Sequence, residues 1–366
     1  MSYGEPYEAT GWVPESVIKD IEARFRGFPV PGMTINPLTR TPDELRQFGL
    51  PPKPGSSAPP LLQRVWDQAF GRPLQFQKCN VEPNRIQATQ FRLFEKAVAK
   101  ASFEGFNYET SSNWSGAYIT ANSDKRFLQV WGTWTIPGDL QLPPPGIQGP
   151  SDIPYMCANW IGLDGQRRYL DSSLPQMGTV SILQSDGTTT ADSWIQWWAH
   201  GSGNTAPVTL GLAVAPGDTV ACVLTAESPT SAWAVMVNLS TSPPTAVPIM
   251  MVAPMVTLAD GSTVQPEIAG ATAEWIVERP KVPPQPDQPP NRYNFPNYGQ
   301  SGFNNCVAVE GDRVDIASLP TGIPQDLTGA RRIRMFEVLI NPTRIQYISM
   351  ASKLDNLTLQ TKYGSF

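Results

Sequence analysis

From about residue 106 onward, short runs rich in Trp, Val, Thr and Tyr alternate with Gly, Pro, Ser and Asp turns, and nothing else constrains the fold as strongly. "NWSGAYIT", "FLQVWGTWTIP", "CANWIGLDG", "ADSWIQWWAH", "APVTLGLAV", "DTVACVLTA", "AWAVMVNLS" and "TAEWIVERP" each read as a strand. Many short strands at this spacing predict an all-β sandwich or jelly roll. "CVAVEGDRVDI", "IRMFEVLIN" and "LDNLTLQTKYG" read as the strands that complete it. The proline-rich stretch 280–299 lacks ladder donors and is expected to be a long surface loop.

Residues 1–105 have a different texture and predict a helical or irregular N-terminal region ahead of a β-domain at 106–366. "PESVIKDIEARFRG" has helical spacing, and "PPLLQRVWDQAFG" (59–71) repeats it. In "TPDELRQFG", Thr41 is a candidate N-cap, Pro42 the first helical residue, Glu44 the closing member of a capping box and Gly49 a stop. "IQATQFRLFEKAVAK" (86–100) is a weaker helical run.

Charged residues make up 16% of the chain and the net charge is −5, with no Lys/Arg run, so nucleic acid is not an expected partner. The longest apolar stretch, "AVPIMMVAPMVTLA", is interrupted by Pro248 and Pro254, and no membrane span is expected. The start of the chain shows no apolar core of signal-peptide length. The four cysteines, Cys79, Cys157, Cys222 and Cys306, form no CxxC pair, and His200 is the single histidine. A zinc or multi-histidine metal site is therefore not expected. His200 reads most simply as a loop residue after an aromatic strand.

Strand side chains alternate between faces. In "NWIGLDG", Trp160, Gly162 and Asp164 share one face, with Ile161 and Leu163 on the core side. In "SWIQWWAH", Trp194, Gln196 and Trp198 lie together, opposite Ile195 and Trp197. In "TAEWIVE", Glu274 joins Ile276 and Glu278, opposite Trp275 and Val277. A face combining tryptophans with carboxylates and amides suggests a groove that grips something. The same tryptophans fit simple packing under loops equally well.

"SSNWSGAYI", "VWGTWTIP", "NWIGLDG", "LPQMGT", "WIQWW" and "AEWIVERP", in that order over roughly 108–310, resemble the glutamic peptidases, or eqolisins, in their bacterial form. The resemblance implies a concanavalin-like or jelly-roll sandwich of two antiparallel sheets with a substrate cleft on the concave face. It implies an acid-acting endopeptidase that hydrolyses polypeptides with a Gln/Glu dyad and uses no metal or cofactor. A monomer is expected. Such precursors carry an N-terminal prosegment and are secreted, so residues 1–105 are expected to be either a prosegment, removed near 105, or an accessory region wrapped on the sandwich.

By the resemblance, the glutamate falls on Glu274 in "AEWIVE" and the glutamine on Gln176 in "LPQMGT", where Gly follows one residue later. Gln184 in "SILQSDG" matches less of the pattern. Glu274 would take a proton from water and return it to the leaving nitrogen, with Gln176 donating to the oxyanion. Asp164 and Gln196 are expected near the substrate, and Trp114, Trp160, Trp194 and Trp198 as cleft walls. Two departures stand out: Gln196 occupies a position where the family often has a carboxylate, and Val180 stands near where some members place an aspartate. A catalytically degenerate relative and a carbohydrate-binding sandwich are the competing readings.

Overall fold

The computed structural model describes residues 15–30, 32, 34–83, 108–151, 153–165, 173–199, 206–258, 260–281, 292–340 and 343–364. The long strands are β1 (Trp114–Thr120), β2 (Arg126–Thr135), β3 (Tyr155–Leu163), β4 (Leu174–Leu183), β5 (Thr189–Trp198), β6 (Thr219–Ser228), β7 (Ser231–Asn238), β8 (Thr245–Val252), β9 (Thr272–Glu278), β10 (Gln300–Gly311), β11 (Arg331–Ile340), β12 (Thr343–Lys353) and β13 (Leu359–Tyr363). In the first layer the order is β11-β1-β9-β3-β4-β5, and in the second it is β13-β10-β2-β6-β7-β8. Among the described residues, no helix is long and apolar enough to cross a membrane.

The layers face each other across one apolar core. Ile161, Met177, Ile195, Trp197 and Trp275 come from the first layer; Val130, Trp134, Cys222, Leu224, Met236 and Ile249 come from the second. Hydrogen bonds pin the layers together, from the Trp275 indole to the Trp131 carbonyl at 2.7 Å and from the Trp134 indole to the Thr179 hydroxyl at 2.9 Å.

The expectation of two separate antiparallel sheets needs correcting. The hairpin β11–β12 and then β13 carry the ladder from the edge of one layer to the edge of the other, giving one continuous 20-stranded sheet folded on itself. Its pairing is also mixed. Leu74–Phe76 runs parallel to β8, and Tyr108–Ser111 runs parallel to β11. Both parallel pairs recruit short segments that precede β1 and reach the ladder from elsewhere, whereas hairpin neighbours must be antiparallel.

Of the described N-terminal residues, Ile35 to Phe76 pack on the outer face of the second layer, away from Gln176 and Glu274, while Ile21 and Phe25 join the interlayer core. The helices of this region are α1 (Glu15–Arg24), α2 (Pro42–Gln47) and α3 (Pro60–Phe70). The capping box is present: Thr41 Oγ1 accepts from the Glu44 amide at 3.2 Å, and Glu44 Oε2 accepts from the Thr41 amide at 2.8 Å. Trp66 and Phe70 of α3 bury against Trp131, Val223, Val235 and Val307. Phe25–Gly27 extends β8, while Glu82–Pro83 pairs with Val208–Thr209 beside β5. Sheet edges are thereby covered rather than left open. The expected helix at 86–100, the prosegment junction near 105 and His200 lie outside the described residues. The loop 280–299 is described only at its ends, where Asn294 bridges to Tyr155 and Asn297 to Gln141. All four cysteines are free, and three are buried.

Candidate active site

The outer face of the first layer carries the second tryptophan set. Trp114, Trp160 and Trp194 pack there with Tyr118, Val180 and Ile276, on the side opposite the interlayer core. Trp114 meets Trp160 edge-on with ring centroids 4.9 Å apart. The alternation read from the sequence therefore separates the two faces as the structure does.

Strand register arranges the polar residues of this face in one row. Tyr118 of β1 pairs with Glu274 of β9, Glu274 with Gly162 of β3, Gly162 with Gln176 of β4, and Gln176 with Gln196 of β5. Paired residues point the same way, so Glu274 and Gln176 flank Gly162 on one face. Their backbones are two strand spacings apart, roughly 9.5 Å. Gly162 makes their approach possible: a Cβ there would lie 3.2 Å from the Gln176 Cβ, 2.9 Å from Leu174 and 3.1 Å from the Trp160 ring. In the next row Gly178 sits between Trp160 and Trp194, and a Cβ on it would be 2.2 Å from the Asn159 carbonyl oxygen.

Glu274, Gln176 and Gln196 are all fully buried or nearly so. The Thr272 hydroxyl donates to Glu274 Oε1 at 3.2 Å, and Gln176 Nε2 donates to Gln196 Oε1 at 2.8 Å. Glu274 Oε2 and Gln176 Oε1 have no hydrogen-bond partner among the described residues. Two orphaned buried oxygens on one polar row form a place where a water or a substrate group would be held. Burial pushes Glu274 well above the usual carboxylate range; the Thr272 hydroxyl opposes this, and the nearby carboxylates Asp164 and Glu278 reinforce it.

Asp164 directly follows β3 with φ 67°, and its carboxylate turns into the backbone that leads to β9. Oδ2 accepts from the amides of Ala269 at 2.7 Å and Gly270 at 3.0 Å, and Oδ1 from Ala271 at 2.6 Å and Thr272 at 3.4 Å. Burial still outweighs these four donors, and the carboxyl is pushed up to about 6. Asp164 thus holds the start of β9, including the Thr272 that touches Glu274. Gln184 lies beyond the end of β4, with its amide on the Thr190 hydroxyl at 2.6 Å. Of the two glutamines, only Gln176 stands in the Glu274 row.

Trp160 and Trp194 stand in the row beside the polar one, Trp114 in the next, and Trp198 pairs with Leu174 on the opposite side. Sequence reasoning missed the roles of Gly162, Gly178 and Thr272. The signal was present: a Thr two residues before Glu274, and glycines recurring at same-face positions among tryptophans. Glu278 accepts from the Trp160 indole at 2.8 Å and from Asn113 Nδ2 at 3.3 Å, holding that ring against the sheet.

A model of the Peptidase A4 family matches residues 112–335, more than half of the chain and all of the strands that build this row. The chain belongs to the Peptidase A4 family. These are the glutamic peptidases, or eqolisins. Among solved structures, scytalido-glutamic peptidase with a transition state analog inhibitor is 18% identical, covers 69% of this chain and 98% of its own, and has a TM-score of 0.47. SCP-B, a member of the eqolisin family in complex with the tripeptide Ala-Ile-His, is 17% identical over the same shares of the two chains, also with a TM-score of 0.47. No curated protein matches the chain.

Proposed function

We propose that this eqolisin is an acid-acting endopeptidase in which Glu274 and Gln176 form the catalytic dyad. One observation carries the reading: the register row that sets Glu274 and Gln176 on either side of Gly162, each with an unpartnered oxygen. A water between Glu274 Oε2 and Gln176 Oε1 is poised for attack on a peptide carbonyl. Ionised Glu274 takes a proton from that water as it attacks. The burial that raises the proton affinity of Glu274 then favours holding the proton until it passes to the leaving nitrogen. Gln176 Nε2 keeps one N–H beyond its bond to Gln196, and donates it to the oxyanion.

Both dyad side chains are buried, so a polypeptide reaches them only when the face opens. Trp114, Trp160, Trp194 and Trp198 then line the bound chain. The Trp194 indole N–H, with no partner among the described residues, offers a donor to its backbone. Asp164 acts behind the substrate, by fixing the turn before β9. Residues 15–83 act as an accessory region that stays attached, because their helices and short strands complete the second layer. Intact mass after acid incubation tests this: loss of residues 15–83 from active protein would refute it.

The activity itself is tested by incubating the protein with a denatured general protein substrate across acid and neutral pH and mapping new termini by mass spectrometry. Internal cleavage strongest in acid supports an endopeptidase. Absence of new termini at every pH, from folded protein, would sink the proposal.

A further inference from the structure

Gln196 is the side chain that the Gln176 amide meets in its row. An amide has an acceptor end and a donor end, and a 180° flip exchanges them. Gln196 Oε1 accepts from Gln176 Nε2 at 2.8 Å, so the NH2 end faces β5. The carbonyl end of Gln176 is thereby turned away from Gln196, and it is this oxygen that has no partner among the described residues. In the register row, the direction away from Gln196 leads over Gly162 to Glu274, whose Oε2 is the other orphan. Gln196 is itself 1% exposed, so water does not compete for its carbonyl.

We infer that Gln196 is the positioning residue of the dyad, locking the Gln176 amide with its carbonyl toward the nucleophilic water and one N–H left for the oxyanion. The inference rests on the peptidase reading and deepens it. An amide does this work at every pH, because it neither gains nor loses charge. A carboxyl at 196 would accept from Gln176 while ionised, but would lose that preference on protonation. It would also add a negative group to surroundings that already hold Glu274, Asp164 and Glu278, with Asp192 farther along β5.

The experiment compares pH profiles of kcat and KM for full-length wild type, Gln196→Met and Gln196→Glu on one peptide substrate. Methionine keeps the shape of the side chain and removes the acceptor. Its kcat is expected to fall by about 10- to 100-fold with KM nearly unchanged, as for a misplaced catalytic group. Gln196→Glu is expected to approach wild-type kcat at the neutral end of the active range and to lose activity toward the acid end, so that its acid limb lies at higher pH. A Gln196→Met enzyme with wild-type kcat, or a Gln196→Glu profile superimposed on that of the wild type, would overturn the inference. Should Gln196→Met fail to fold, the Gln196→Glu profile decides alone. An inactive wild type would overturn the peptidase reading and this inference together; an active wild type with unaffected variants would overturn only this one.

Discussion

Asp164→Asn separates two effects that pull on one carboxyl in opposite directions. Burial favours its neutral form, and the four amides of residues 269–272 favour its charge. Burial wins, moving the group from 3.8 to about 6. The folded pKa then lies above the unfolded one, so the proton is held more tightly in the folded protein. The stability from this group is complete below about pH 3.8 and is lost as pH rises through about 6. A gap of about two units corresponds to about 3 kcal/mol. Asparagine keeps one acceptor oxygen and sets an NH2 against the two N–H groups that the other oxygen served. At about 1–3 kcal/mol for each unsatisfied group, the cost in acid is about 2–6 kcal/mol. Asparagine does not titrate, so this penalty should shrink by about 3 kcal/mol between about pH 3.5 and pH 7.5. Asparagine also removes the charge that helps to raise Glu274, which acts in the same direction as pH rises. Urea unfolding of wild type and Asp164→Asn at the two pH values measures the penalty. A penalty that grows as pH rises would mean that the four amides, rather than burial, govern Asp164.

Gly178→Ala forces a Cβ to 2.2 Å from the Asn159 carbonyl, so it should destabilise by at least about 1–3 kcal/mol and lower Tm, checked by thermal unfolding. Thr41→Ala removes the N-cap acceptor of α2 and should cost about 0.5–2 kcal/mol without changing kcat, since α2 lies on the far layer. Phe70→Ala opens a cavity beside Trp66 and Trp131 and should cost about 3–5 kcal/mol in chemical unfolding; an unaffected midpoint would show that the N-terminal region is not part of the folded unit.

The strand rhythm from 106 onward, the two faces of β3, β5 and β9, and the Thr41 capping box were legible because they are local: alternation and caps are written in consecutive residues. β8 was not legible, since Pro248 breaks a ladder donor; it is tolerated near the sheet edge, where the short strands Leu74–Phe76 and Phe25–Gly27 pair with Thr245–Ala246 and Ile249–Met251 and leave Pro248 between them. "TRIQYISMASK" gave a weak apolar signal because few of its side chains are buried, Ile348 and Ala351 reaching the core. "APVTLGLAV" forms a ladder only at Val208–Thr209. The row Glu274–Gly162–Gln176–Gln196 was legible as a shared face but not as a register, because each neighbour is far away in sequence. For the same reason the partners of Asp164 were not legible: its four amides begin 105 residues farther along the chain.

The central claim is that Glu274 and Gln176 act as one dyad, and cleavage of a denatured protein substrate from acid to neutral pH by wild type, Glu274→Gln and Gln176→Ala tests it most directly. The account predicts acid-favoured cleavage by wild type and a fall of at least about 10²–10³ in rate for Gln176→Ala. Glu274→Gln, which cannot accept the proton, should lose turnover while remaining folded. Cleavage by folded Glu274→Gln at the wild-type rate would contradict the account, because some group other than Glu274 would then be carrying the proton.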